Sequence, residues 1–298
     1  MRLAAVKAFD RRALVVLAVG LSIVLALVLV GQRLNAAKVG GQAPAEPFRI
    51  AGNFYYVGAN DVSAFLITGS EGHILLDAGY PTTAAMIMGS IAKLGFDIKD
   101  VKILLNSEPH PDHAGGLVVL QQASGAEVWA SDASADVIES GGDDRAMILP
   151  LRALLWLRLV GYPAARVGHR FKDGETIRVG PIALTAHITG GHSRGCTSWS
   201  FPVRDGDRVL NVVSACDLGV LGGTRYAEQG DDLERSFRVL RSLPADIWVT
   251  AHARWWGRYR KFVASSASKN PVEAFIDPQG YRAFIDSAEA DFRSGRAH

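Results

Sequence analysis

The sequence predicts an α/β protein built as a layered sandwich, with two sheets face to face and helices on their outer sides. Three observations carry this prediction. Short apolar strands alternate with helix-period segments from Phe48 onward. The alternation comes in two successive runs, and each run ends in a metal-type motif. At 298 residues, with 48% hydrophobic and 21% charged side chains, the chain can bury a sizeable core.

The elements follow in order. Residues 13–31 are an uncharged apolar run preceded by Arg2, Lys7, Arg11 and Arg12. A basic flank and a run of that length predict export, with the segment either cleaved as a signal or kept as an anchor. Residues 32–47 are rich in Gly, Ala, Gln and Pro and read as a linker, so 1–45 is expected as signal or anchor and 46–298 as one domain. Residues 1–45 carry a net +5, which leaves −3 for 46–298. A mildly acidic exported domain is not a nucleic-acid binder. It is expected in the periplasm as a monomer, meeting membrane only through its N-terminal segment.

Strands are predicted at 53–57, 63–68 and 73–76, with a turn at Gly69-Ser70-Glu71-Gly72. A helix over 82–95 is marked by Ala85, Ile87, Met88, Ile91 and Leu94 and stopped by Gly95. Next come a strand at 101–105, a helix at 116–122, a strand at 126–130 and a helix from 134. Residues 146–168 are rich in Leu and lack strand alternation; a core helix is expected, with an apolar flap over a cleft as the alternative. Strands at 176–179 and 182–187 precede a hairpin, 197–203 and 208–214, across Asp205-Gly206. A turn centred near Gly206 sets Cys196 opposite Cys216. A cross-strand disulfide suits an exported protein, and two buried thiols are the alternative. A helix near 232–242, a strand at 247–250 and a tail helix over 278–292 close the chain.

Residues 108–113 read Glu-Pro-His-Pro-Asp-His, directly before Ala114-Gly115-Gly116. They leave the C-terminal end of the strand at 101–105. In extended backbone Glu108 and His110 point the same way, while adjacent Asp112 and His113 diverge and suit a second ion. Pro109 and Pro111 fix the intervening backbone. On its own, Asp112 also suits a helix cap. Two adjacent zinc ions need about six side chains. Of the eight histidines, His192 and His252 lie in loops after strands, where ligands are delivered. His73 and His187 read as packed or surface residues, and His169 and His298 as solvated ones.

With these residues in place, the chain resembles the metallo-β-lactamase superfamily, and within it the third (B3) subclass, over roughly 48–293. The superfamily run His-x-His-x-Asp-His stands here as Glu108-x-His110-x-Asp112-His113. Asp77, His192 and His252 match further elements, as do Ala186-His187, Arg235-Ser236-Phe237 and the tail from Phe275 to Tyr281. The resemblance implies the αββα four-layer fold and two zinc ions. Glu108, His110 and His192 would hold the first ion; Asp112, His113 and His252 would hold the second. It implies hydrolysis of β-lactam antibiotics by a metal-activated hydroxide, with Asp112 orienting the water and Asp77 holding loops in place.

Three departures from the family pattern stand out. Glu108 replaces a histidine and adds a negative charge, so bound water is expected to be less acidified than at a three-histidine site, and a carboxylate rotated away would leave the first site weak. Asp217 stands where the subclass usually has serine; it is expected as a bridging ligand or an outer group orienting water. That position keeps open a second reading, a two-metal hydrolase of lactones, esters or thioesters. The usual substrate-facing tyrosine is not aligned, and Thr224 and Tyr226 fall nearest to it. With Trp156 they are the expected substrate contacts.

Overall fold

The computed structural model describes residues 41–157, 161–220 and 223–295, together with positions 19 and 22. The expected N-terminal segment over 13–31 thus falls, apart from those two positions, outside the described residues. Among the described residues no helix is long and apolar enough to cross a membrane. From Gln42 onward the chain forms one compact unit.

Among the described residues there are two sheets, and the first seven strands form one of them in sequence order. β1 (Phe48–Ala51), β2 (Phe54–Tyr56), β3 (Phe65–Ile67) and β4 (His73–Leu76) make an antiparallel meander. β5 (Val101–Leu105), β6 (Glu127–Ser131) and β7 (Val167–Phe171) then join in parallel. Parallel neighbours need crossovers. These are α1 (Ala84–Lys93), α2 (Pro111–Ala114) with α3 (Leu117–Ser124), and α4 (Asp132–Glu139) with α5 (Leu149–Trp156). Helical spacing puts Ala84, Ile87 and Ile91 of α1 on one face, and Leu117 and Leu120 of α3 on another. Both faces pack with Leu66, Leu75, Leu104 and Val128 of the sheet.

The second sheet has the order β12 (Ile247–Thr250), β11 (Arg208–Ala215), β10 (Thr197–Asp205), β9 (Ile182–Ile188), β8 (Thr176–Val179). Only β11 and β12 are parallel, across α6 (Gln229–Ser242). α7 (Ala253–Trp256), α8 (Arg258–Ser266) and α9 (Pro278–Arg293) complete the chain. A single cluster holds the facing side chains Phe54, Phe65, Phe171, Trp199 and Phe201, and extends to Phe237 of α6 and Tyr281 of α9. The expected αββα layering is therefore what forms.

Four readings change. The 146–168 segment is not a core helix: α5 spans only Leu149–Trp156, and none of its residues is buried. Leu149, Leu151, Leu154, Trp156 and Leu157 stand exposed. Leucines on every side of a helix normally signal burial, but α1, α3 and α4 already cover this sheet face. Second, 167–171 is strand β7, whose Val-Gly-His-Arg-Phe run alternates half-buried and exposed positions. Third, the hairpin register is one residue off the expected one. Asp205 pairs with Arg208 and Trp199 with Ser214, because Gly206 (φ +62°) and Asp207 form a two-residue turn. Fourth, β1, α7 and α8 were not anticipated.

Candidate metal centre

Both sheets deliver loops to one end of the sandwich. In the first sheet, Asp77 follows β4 with φ +65°, the only positive φ of a non-glycine among the described residues. Its carboxylate accepts from the Ser107 amide (2.8 Å) and from the Ser107 hydroxyl. Burial pushes the Asp77 carboxyl up to about 6, against the pull of His113 and Ser107. These bonds join the β4 loop to the loop after β5. Gly116 lets the two loops touch, since a Cβ there would meet the Ala78 carbonyl at 2.2 Å.

Glu108, His110, Asp112 and His113 leave β5 along that loop. His110 is the N-cap of α2, Pro111 opens the helix, and Asp112 and His113 sit in its single turn. Glu108 is completely buried. Its Oε2 lies 2.5 Å from His110 Nδ1 and 3.1 Å from His192 Nε2, and its Oε1 lies 3.7 Å from His113 Nε2. The carboxylate therefore faces the imidazoles. His192 comes from the loop after β9 and donates Nδ1–H to the Gly219 carbonyl at 2.6 Å, leaving Nε2 for a ligand. Burial raises the Glu108 carboxyl, yet charge and hydrogen bonds from His192, His113 and His110 hold it well below the carboxylate range. Burial lowers the His192 imidazole, but Glu108 overrides this and pushes it up to about 9.

The second group forms alongside. Asp112 Oδ2 is 3.4 Å from His113 Nε2 and 3.6 Å from His252 Nε2, and His252 follows β12. Burial raises Asp112, but neighbouring His113 holds it far below its ordinary range. His113 is raised well above an ordinary imidazole: burial lowers it, and Asp112 and Glu108 more than offset that. Asp217, after β11, stands 3.4 Å from His252 Nε2 through Oδ2, while its buried Oδ1 has no hydrogen-bond partner. Glu108, His110 and His192 offer ligand atoms within 4.8 Å of one another, as do Asp112, His113 and His252.

This donor set fits divalent metal. Three buried or half-buried acids converge on four imidazoles, and such a set is stable only around cations or bound protons. Nitrogen and carboxylate donors in threes, with a position left open, suit zinc in particular.

One residue the sequence did not flag is Asp61, in the loop before β3. Its Oδ2 is 3.3 Å from His252 Nδ1, and Arg254 pairs with the same carboxylate. The loop is fastened by Ser63 N–H to Ala251 O (2.9 Å) and Ala253 N–H to Asp61 O (2.6 Å). Nothing in the local letters marks Asp61, since its partner lies 191 positions later in the chain.

The two groups border a cavity of about 660 Å3 lined also by Asp217, Arg254, Trp255 and Arg260. Trp156, Thr224 and Tyr226 do not line it. Trp156 Nε1–H points to Asp143 Oδ2 at 3.4 Å, and Thr224 is buried in a bridge to Met147. Tyr226 donates to Asp232 Oδ2 at 2.9 Å beneath the Arg194 guanidinium. Cys196 and Cys216 are disulfide-bonded just beyond the ends of β10 and β11, with Cα atoms 5.9 Å apart.

The metallo-beta-lactamase superfamily model matches residues 57–252. A hydroxyacylglutathione hydrolase of Hyphomonas neptunium is 27% identical over 214 residues, 71% of this chain and 69% of that protein. Among solved structures, Rm3 metallo-beta-lactamase superimposes with a TM-score of 0.79 at 37% identity, over 87% of this chain and 96% of the other. BJP-1, a subclass B3 metallo-beta-lactamase of Bradyrhizobium japonicum, does so with 0.75 at 30% identity, over 86% and 95%.

Proposed function

The chain belongs to the metallo-beta-lactamase superfamily, and from that membership we propose that it is a zinc-dependent β-lactamase of the B3 kind, opening the amide of β-lactam antibiotics. The observation that carries this reading is the pair of three-ligand groups side by side on one cavity wall. Likeness over most of the chain to solved β-lactamases supports it.

Two zinc ions, one per ligand group, would supply Lewis acidity for activating water and polarising a carbonyl. Every other part belongs to the chain. Glu108, His110 and His192 hold one position, and Asp112, His113 and His252 the other. Asp112, ionised at neutral pH, would help hold the second ion and accept a hydrogen bond from the attacking water, orienting it. Asp217 Oδ2, which faces His252 on the cavity wall, would be placed to accept a second. Arg260, which lines the cavity, offers a cation to an anionic substrate such as a β-lactam acid. With Glu108 in place of an imidazole, the first position is expected to hold zinc more weakly than a three-histidine set would. The N-terminal run supports export to the periplasm, as a cleaved or tethered monomer.

A second reading, hydrolysis of lactones, esters or thioesters, is favoured by Asp217. Its carboxylate lies beside His252 at 3.4 Å, where it could add a further acidic ligand, and a relative is named for hydroxyacylglutathione hydrolysis. The deciding assay offers zinc-loaded protein a chromogenic cephalosporin, an acyl-lactone and a thioester, with and without chelator. Chelator-sensitive lactam hydrolysis as the fastest of the three is expected. Turnover of the thioester or lactone with none of the lactam would overturn the first reading in favour of the second.

A further inference from the structure

Glu108 has two neighbourhoods. Its Oε2 faces His110 and His192, as described. Its Oε1 lies 3.9 Å from Cys216 Sγ, which itself packs 3.5 Å from the Ser107 carbonyl. Cys196 and Cys216 are fully buried and do not line the cavity. One carboxylate oxygen and both sulfurs lie within 4.8 Å of one another. A disulfide has no charge to offer a carboxylate, so nothing on the sulfur side holds Oε1 while the bond is intact.

We propose that reduction of Cys196–Cys216 opens an alternative metal site, Cys196–Cys216–Glu108, that takes a zinc-class divalent ion and competes with His110 and His192 for Glu108. Two thiolates and a carboxylate are a good zinc set with one position open. At a Zn–S distance of about 2.3 Å, tetrahedral geometry sets two sulfurs roughly 3.8 Å apart. Side-chain rotation supplies that separation, because the backbone at both cysteines is anchored independently of the sulfurs. Thr189 N–H donates to the Cys196 carbonyl at 2.8 Å, and Cys216 N–H donates to Ser198 Oγ at 3.0 Å. The cysteines also sit outside the paired stretch of the hairpin, so their movement breaks no ladder bond. The redox step is simple: a phosphine donates two electrons to the S–S bond and becomes its oxide with oxygen from water, and each sulfur takes one of that water's protons. A divalent ion then displaces those protons. The proposal requires only that Glu108 face metal; it is independent of which substrate is hydrolysed.

The test reads metal ligation, not turnover. Metal-free protein is reduced with a phosphine in denaturant, refolded under argon and freed of reductant; two free thiols are confirmed by titration. Cobalt(II), as a coloured stand-in for zinc, is then added. The expected result is an intense near-ultraviolet thiolate-to-cobalt band that rises and saturates as a single site. That band should be absent from the oxidised protein and from the Cys196→Ser/Cys216→Ser double variant. Glu108→Gln in the reduced protein should weaken this cobalt at least tenfold. The single variants Cys196→Ser and Cys216→Ser each leave one thiol beside Glu108 without any reduction or refolding, and each should show a weaker thiolate band. Cobalt spectra free of thiolate absorption in the singles overturn the proposal. A thiolate band indifferent to Glu108→Gln overturns the competition for the carboxylate.

Discussion

Glu108 concentrates the residue-scale physics. A carboxylate buried to this extent survives ionised only because three imidazoles face it. Replacing it by histidine exchanges a carboxylate for an imidazole, the donor better suited to zinc. Glu108→His should therefore tighten the first zinc, measured by competition with a chromophoric chelator, and shift the pH–rate profile. An unchanged affinity would mean that Glu108 does not ligate. Asp61 acts at one remove, through His252 Nδ1. Asp61→Asn keeps the shape and removes the charge; the second zinc should then bind about 10–100-fold more weakly. These residues differ in how legible they were. Spacing after a strand marked Glu108, His110, Asp112 and His113, because local geometry aims neighbouring side chains together. Asp61 is joined to the site only by tertiary packing, and its letters carry no such mark.

At the scale of elements, the outcome depended on whether a pattern constrains the chain locally. α1 and β5 were readable because helical and strand periods match the faces they bury. The hairpin was readable, but its register hinged on one turn residue: a two-residue turn at Gly206-Asp207 moved every pair by one. α5 misled because apolar content reports the tendency to be buried, not the space left to be buried in. With no buried residue in α5, Leu149→Ser should change unfolding free energy by less than about 0.5 kcal/mol. Trp256 of α7 is the opposite case, buried against Tyr56 and Phe65. Trp256→Ala should cost about 3–5 kcal/mol in denaturant unfolding. The disulfide closes a sequence separation of 20, and loss of both cysteines should cost about 3 kcal/mol by chain entropy.

For the whole molecule, protons and metal compete for one buried cluster. His192 in the metal-free protein sits at about 9 rather than 6.5. Its contribution to stability is complete below about 6.5 and drains away as pH rises through 9. Glu108, held below 4.5, contributes above that value and loses its share as pH falls. If zinc takes His192 Nε2 it displaces this proton, and the gap in Tm between zinc-loaded and metal-free protein should then widen from pH 6.5 to 9. Thermal melts across that range check it; a constant gap would contradict the assignment of His192 as a ligand. Calorimetry in buffers of different ionisation heat should show proton release on binding near neutral pH.

The ligand roster has a mechanical consequence. Each three-residue group takes two members from the loop after β5 and one from a loop of the second sheet, His192 or His252. An ion at either position is thus a clasp between the two halves of the sandwich. When zinc is chelated, amides at the ligand-bearing edge should exchange with deuterium faster in both halves at once, while those at the far ends of β2 and β10 keep their pace. The metals then serve as fasteners as well as reagents, and stripping them should loosen one end of the protein before it unfolds any of it.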